Sequence, residues 1–256
     1  MDRKPYRLGI ISALQEEQAG LITQMRDGKI FTRGKRDYVH GNLWGIDCIC
    51  VLSRLGKVAS AATAAMLIER FDVSHLLFTG VAGSADPEVR VGDIVIASEL
   101  VQHDMDTRPL FPRFEIPLTG LSRFPSDAQI NRYLLEAATN FLDQDLLTEI
   151  SEENRANFNL HQPRLHQGLI ASGDEFIASA SRLQELKRDF PDLLAVEMEG
   201  AAVAQVCHEF GIPFSVIRTI SDNANEDSAV DFLSFIRHVA SVYAFHTIRR
   251  LSALLP

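Results

Sequence analysis

The chain has only three cysteines among 256 residues, Cys48, Cys50 and Cys207, and neither their odd number nor their spacing suits a disulfide framework or a metal site. They read as buried, reduced thiols of a cytoplasmic protein. Basic runs are as scarce: none exceeds two residues, as at Arg249-Arg250, and the formal net charge is −9 with the acids spread along the chain. That balance argues against nucleic acid or an anionic membrane as a partner. No apolar run approaches the roughly 20 residues of a membrane-spanning helix. The apolar stretch after Met1-Asp2-Arg3-Lys4-Pro5 is short and has no small-residue cleavage site, so it is expected to be a first strand, not a signal peptide. No Pro-, Gly- or Ser-rich linker and no repeat divides the sequence, and residues 1–256 are expected to form one domain.

Strand-like runs fall at about 7–13, 47–53, 75–79, 93–98, 168–172, 193–197 and 214–220, and helical periodicity fits 16–27, 57–71, 127–145, 180–190, 199–211 and 228–250. Such alternation predicts an α/β fold. The polar segment 142–166 reads as a surface excursion.

Three of the strand ends carry acid. Leu8 to Leu14 leads into Gln15-Glu16-Glu17, Leu193 to Val196 stops at Glu197-Met198-Glu199, and Phe214 to Ile217 runs through Arg218 to Ser221-Asp222. The last two strands, joined by the helix 199–211, read as a β-α-β unit whose parallel strands would put both acidic ends on one sheet edge, where open α/β sheets bind ligands. Each acid alone is more often a helix cap or first-turn charge than a catalyst. Three of a kind point to a pocket. The strand at 75–79 ends in Thr79-Gly80-Val81-Ala82-Gly83-Ser84, which lacks both the P-loop and the dinucleotide fingerprint and by itself marks only a tight turn.

Taken together, several strings resemble the 5′-methylthioadenosine/S-adenosylhomocysteine nucleosidases of the purine nucleoside phosphorylase-like superfamily. They are Gly9-Ile10-Ile11-Ser12-Ala13 with Glu16-Glu17; Leu55-Gly56-Lys57-Val58-Ala59; Thr79-Gly80 with Ala82-Gly83; Val91-Gly92-Asp93-Ile94-Val95; His103-Asp104-Met105-Asp106; Gly168 to Asp174 with Phe176-Ile177; Ala195-Val196-Glu197-Met198-Glu199; and Arg218-Thr219-Ile220-Ser221-Asp222. The resemblance implies a three-layer phosphorylase/hydrolase-like fold, with a mixed and mostly parallel central sheet between helices, and hydrolysis of an adenine N-glycosidic bond.

The resemblance also implies roles. Asp222 would protonate the departing adenine at N7, Glu17 would activate water, and Glu199 would hold the ribose hydroxyls. Arg218 would orient the water-side acid, Phe176 would stack on the purine, and the backbone of Ile177 would read its edge. Met198 would pack on the sugar, while Ser221, Gly83, Val81, Leu55 and Phe232 would complete the pocket. A small-molecule nucleoside, no metal or organic cofactor and a homodimer are implied as well. His103 beside Asp104 has no catalytic role in the family, and a structural hydrogen bond is expected of it.

Two departures stand out. Val81 replaces a Ser found in many relatives, so that a backbone N–H or Ser84 is expected to serve in its place, and Thr107 to Phe114 differs from the family's 5′-substituent region. A phosphate-dependent purine nucleoside phosphorylase and a futalosine-type hydrolase remain the alternatives.

Overall fold

A computed structural model describes residues 6–160, 162–224 and 232–255. The first strand, β1 (Arg7–Ser12), passes through a single 3-10 turn (Gln15–Glu17) into the short helix α1 (Ala19–Gln24). Helix was expected without a break over 16–27. Instead the chain turns at Met25 into β2 (Arg26–Arg33), which forms a hairpin with β3 (Arg36–Leu43), itself hairpinned to β4 (Ile46–Leu52). Both hairpins use two-residue turns, Gly34-Lys35 and Trp44-Gly45, with positive φ at all four positions, the geometry that matches strand twist. β2 and β3 were not expected, because almost every residue of β2 is exposed and the apolar alternation that marks a strand is missing.

The chain continues through α2 (Lys57–Phe71), β5 (His75–Ser84), β6 (Ile94–Gln102), the short β7 (Arg123–Pro125) and α3 (Ala128–Gln144). Two short helices, α4 (Leu146–Glu149) and α5 (Glu152–Asn157), order part of the polar 142–166 segment before β8 (Leu165–Ser172). Then follow α6 (Ala180–Asp189), β9 (Leu193–Glu197), α7 (Gly200–Phe210) and β10 (Phe214–Asp222). The last helix expected, 228–250, begins outside the described residues. Its described part is α8 (Phe232–Phe235), a π-helical turn (Ile236–Ala240) and α9 (Ser241–Ser252), joined without leaving helical backbone angles.

The sheet is mixed, as expected: the antiparallel β2 and β3 extend it beyond β4, β7 pairs antiparallel with β6, and its other strands form two parallel blocks. One is β4-β1-β5-β10 and the other β6-β8-β9. They meet antiparallel at both ends, β10 against β6 and the tip of β5 against β9, so that five strands close into a ring. β9 and β10 therefore do not form the simple parallel β-α-β unit that their sequence suggests. Their acidic ends still come together, because Gly83 pairs with Val196 on one side and Asp222 on the other.

Apolar residues alternate across the strands and fill two main cores, with a smaller third cluster that includes Leu169, Ala171, Leu186 and Val196. On one face Ile11, Ile49, Val51 and Phe78 pack under α2 and α7; on the other Ile10, Cys48, Cys50 and Leu77 pack under α3 and α9. All three cysteines are buried and free, as expected. Asn131 ties α3 to the sheet: its Nδ2 donates to the Ala97 carbonyl (2.8 Å) and its Oδ1 accepts from Ser215 Oγ (2.7 Å), all three groups buried. Asn131→Ala leaves two buried partners unsatisfied and is expected to cost about 2–3 kcal/mol in urea unfolding. A loss under about 0.5 kcal/mol would show that these hydrogen bonds do not anchor the helix.

Candidate active site

Eleven of the twelve residues singled out in the sequence line one cavity: Glu17, Leu55, Val81, Gly83, Phe176, Ile177, Met198, Glu199, Ser221, Asp222 and Phe232. Arg218 is the exception. Phe176 and Phe232 meet edge to face with centroids 6.4 Å apart at one wall, and Ile177 is buried behind them.

Glu17 follows directly on β1, in the 3-10 turn. Its Oε2 accepts the backbone N–H of Ala13 (2.8 Å) and Leu14 (2.9 Å), and its Oε1 accepts that of Val81 (3.3 Å). The neighbouring strand comes this close only because residue 80 is glycine: a Cβ there would stand 2.8 Å from Glu17 Oε1. Burial raises the pKa of Glu17, opposed by the Leu14 N–H and by the positive charge of Arg218. Ser84, one of the two groups expected to replace the missing hydroxyl at Val81, is turned away, since its Oγ donates to the carbonyls of Asp86 and Val89. The backbone N–H of Val81 is the donor on that side.

Glu199 caps α7 at the far side of the cavity, and its Oε1 accepts the N–H of Gly56 (2.8 Å) from the turn before α2. Burial, and then the negative charge of Glu197, push its pKa up to about 8. Asp222 stands at the end of β10. Its Oδ1 accepts the Ala224 N–H (2.8 Å) and its Oδ2 the Ser221 hydroxyl (2.8 Å), which holds the carboxyl toward the cavity that both residues line.

Sequence reasoning passed over Glu197, a cavity-lining residue and the most highly connected acid here. It accepts hydrogen bonds from Ser172 Oγ, from the N–H groups of Glu199 and Gly200, and from Arg218 Nη2 at 2.6 Å. This corrects the expected place of Arg218. Its guanidinium is spent on Glu197, on the carbonyls of Phe78 and Ile217 and on the Phe78 ring, 4.2 Å from the centroid, and it acts on Glu17 through space and not by a bond. An arginine inside an apolar strand needs a carboxylate partner, and that need was the available signal for Glu197. His103 also departs from expectation. It is buried with both ring nitrogens unpartnered among the described residues, and it packs so closely on Gly173 that a Cβ there would lie 2.3 Å from the ring.

Among the described residues no three His, Cys, Asp or Glu side chains gather as a metal site. No helix of the described chain is long and apolar enough to cross a membrane.

Residues 7–249 match the Phosphorylase superfamily. A 5′-methylthioadenosine/S-adenosylhomocysteine nucleosidase of Shewanella sp. (strain W3-18-1) is 38% identical over 230 residues, covering 90% of this chain and 91% of its own. The nucleosidase of the same name from Neisseria meningitidis, solved in complex with methylthio-immucillin-A, superposes with a TM-score of 0.84 at 30% identity over 97% of this chain and 99% of that one. Futalosine hydrolase of Helicobacter pylori is also similar, with a TM-score of 0.82 at 31% identity over 98% of each chain.

The raised pKa of Glu199 has a consequence for stability. Between 4.5, its ordinary value, and about 8, the folded state binds a proton that the unfolded chain has lost, so stability falls as pH rises across that window. Glu199→Gln removes this uptake while Glu17 retains its own. The expected result is a shallower decline of Tm with pH from about 5 to 8 in the variant than in the parent, followed by calorimetry. Parallel curves would contradict the assignment.

Proposed function

This chain belongs to the Phosphorylase superfamily and, within it, to the 5′-methylthioadenosine/S-adenosylhomocysteine nucleosidases, and on that premise we propose that it hydrolyses the N-glycosidic bond of these two nucleosides and releases adenine. One observation carries the choice of hydrolysis over phosphorolysis. Among the described residues the cavity is lined by five acids, Glu17, Glu175, Glu197, Glu199 and Asp222, and by no basic residue. A phosphate dianion needs several cationic or N–H donors, whereas a neutral water and a positively charged ribose are at home among carboxylates.

In the proposed reaction Phe176 stacks on the purine and the Ile177 backbone faces its edge. Asp222, as the acid, passes its proton to N7, so that the electrons of the C1′–N9 bond can leave with adenine. Positive charge then develops on the ribose, whose hydroxyls are held by Glu199 and whose face rests on Met198. Glu17 takes a proton from water as its oxygen bonds to C1′. Burial makes Glu17 a stronger base than a carboxylate in water, and three backbone N–H groups keep it aimed. Arg218 acts indirectly, by fixing Glu197 at the rear of the site. Ser221 holds Asp222, and Gly83, Val81, Leu55 and Phe232 shape the walls. The chain 1–256 is read as one catalytic domain and as a cytoplasmic homodimer. Supporting these are its free, buried cysteines and the exposed apolar side chains of Leu55 and Phe176, both at the cavity, and of Val58 beside them on α2.

Two measurements test the reading. Asp222→Asn keeps the shape of the side chain but carries no transferable proton, and is expected to lower kcat by roughly 10²-fold or more with adenine still bound. Near-normal turnover would remove Asp222 from its role. In product analysis, adenine and free sugar are expected from methylthioadenosine at the same rate with and without phosphate. A 5-methylthioribose 1-phosphate product would make the protein a phosphorylase, and a preference for futalosine over methylthioadenosine would favour the futalosine-type reading.

A further inference from the structure

A second cleft lies beside the same strand end, on the far side of β10 from the catalytic cavity. Arg90, Phe158, Asn159, Gln162, Arg164 and Asn223 line it. One buried carboxylate, itself part of the lining, holds the backbone at its two arginines, whose residues are exposed. Asp93, only 2% exposed, accepts the backbone N–H of Arg90 (2.9 Å) and of Arg164 (2.7 Å), and His166 Nε2 lies 2.8 Å from its Oδ2. Opposite stands the segment that follows α5. It is seated on Gly92, where φ is +89° and a Cβ would lie 2.3 Å from Leu160, so only a residue without a side chain allows the two walls to meet. The same turn is stitched to β10: the N–H of Ile220 donates to the Asp93 carbonyl and that of Gly92 to the Ile220 carbonyl, each at 2.8 Å. Two residues further on, Asp222 faces the catalytic cavity, and Asn223 faces this cleft.

We propose that this cleft binds a small phosphate-type oxyanion, supplied either as free phosphate or diphosphate or as the phosphoryl group of a metabolite. Two guanidinium groups supply planar, fork-shaped donor sets suited to phosphate oxygens, and the amides of Asn159, Gln162 and Asn223 add neutral donors. The negative charge nearby does not cancel them. Asp93 already serves three donors, and Glu88 stands 3.9 Å from Arg164 with its side chain 76% exposed, a distance and exposure at which an ion pair is weak. Among the described residues the catalytic cavity is lined by acids alone among its charged groups, whereas this cleft offers an anion two cationic side chains. The reading holds whether or not the catalytic cavity performs hydrolysis.

Calorimetric titration tests it with three probes, inorganic phosphate, pyrophosphate and ribose 5-phosphate, each against the parent protein and the double variant Arg90→Ala/Arg164→Ala. At least one probe is expected to bind saturably at one site per chain, and about 10-fold or more weakly in the double variant, the loss expected when hydrogen bonds to a charged group are removed. Tighter binding of ribose 5-phosphate assigns the cleft to a phosphorylated metabolite, and tighter binding of phosphate or pyrophosphate to the free anion. Adenine at saturating concentration should leave the binding unchanged, and the double variant should still release adenine from methylthioadenosine at the parent rate, which also shows that it is folded. No saturable heat with any probe, equal affinity in the double variant, or displacement of the anion by adenine would each overturn the proposal.

Discussion

The carboxylate of Glu197 is the point at which the closed half of the sheet is locked. It stands at the end of β9 and accepts from Ser172 at the end of β8, from Arg218 in β10 and from the first N–H groups of α7, so three strands and a helix converge on two oxygen atoms. Burying an ion pair costs a good deal of desolvation and is often no more stable than an apolar pair. What it contributes here is register. Side chains alternate along a strand, so a slip of β9 by one residue would send Glu197 to the opposite face and leave Arg218 as an unpaired buried charge. With the register fixed, the antiparallel contact of β9 with the tip of β5 turns the following residues back across that strand. Glu199 then reaches Gly56 on one side while Asp222 pairs with Gly83 on the other.

This explains which parts were legible in the sequence. β1, β4, β8, β9 and β10 are apolar, β-branched and buried, and each was placed to within a few residues. Glu17, Glu199 and Asp222 could be recognised because each follows such a run. The hairpin of β2 and β3 could not, because an edge strand facing water has no apolar pattern to betray it. The shared pocket was inferred from a parallel pairing of β9 and β10 that does not exist. Ring closure between β5 and β9 depends on contacts over a hundred residues apart, to which local periodicity is blind. Arg218 was misplaced for a related reason: the residue is evident in β10, but its partner is set by the closure.

The electrostatics follow from the same architecture. Packing the ends of several strands together buries Glu17 and Glu199 and makes their ionised forms costly, Glu199 all the more for lying beside Glu197. In the proposed reaction that cost diminishes as positive charge appears on the ribose, because the cation favours the ionised form of each group at the moment of bond breaking. The neutral substrate offers no such compensation. Interactions that strengthen only along the reaction coordinate are those that accelerate it, and here they are built into the fold before substrate arrives.

The valine at position 81 then takes on a particular meaning. In the proposed reaction a hydroxyl there could hold the attacking water; position 81 itself offers a backbone N–H, and that donor is already directed at Glu17 Oε1. Arg218 is no substitute, since its Nη1 donates to the carbonyls of Phe78 and Ile217 and its Nη2 to Glu197. In the proposed reaction, orientation of the water then falls on Glu17 among the described residues, and the accuracy of that carboxylate matters more than it would with a hydroxyl to assist. Three backbone donors and the bare Cα of Gly80 hold it, and among the described residues no side-chain hydrogen bond whose rotation could misdirect it is made.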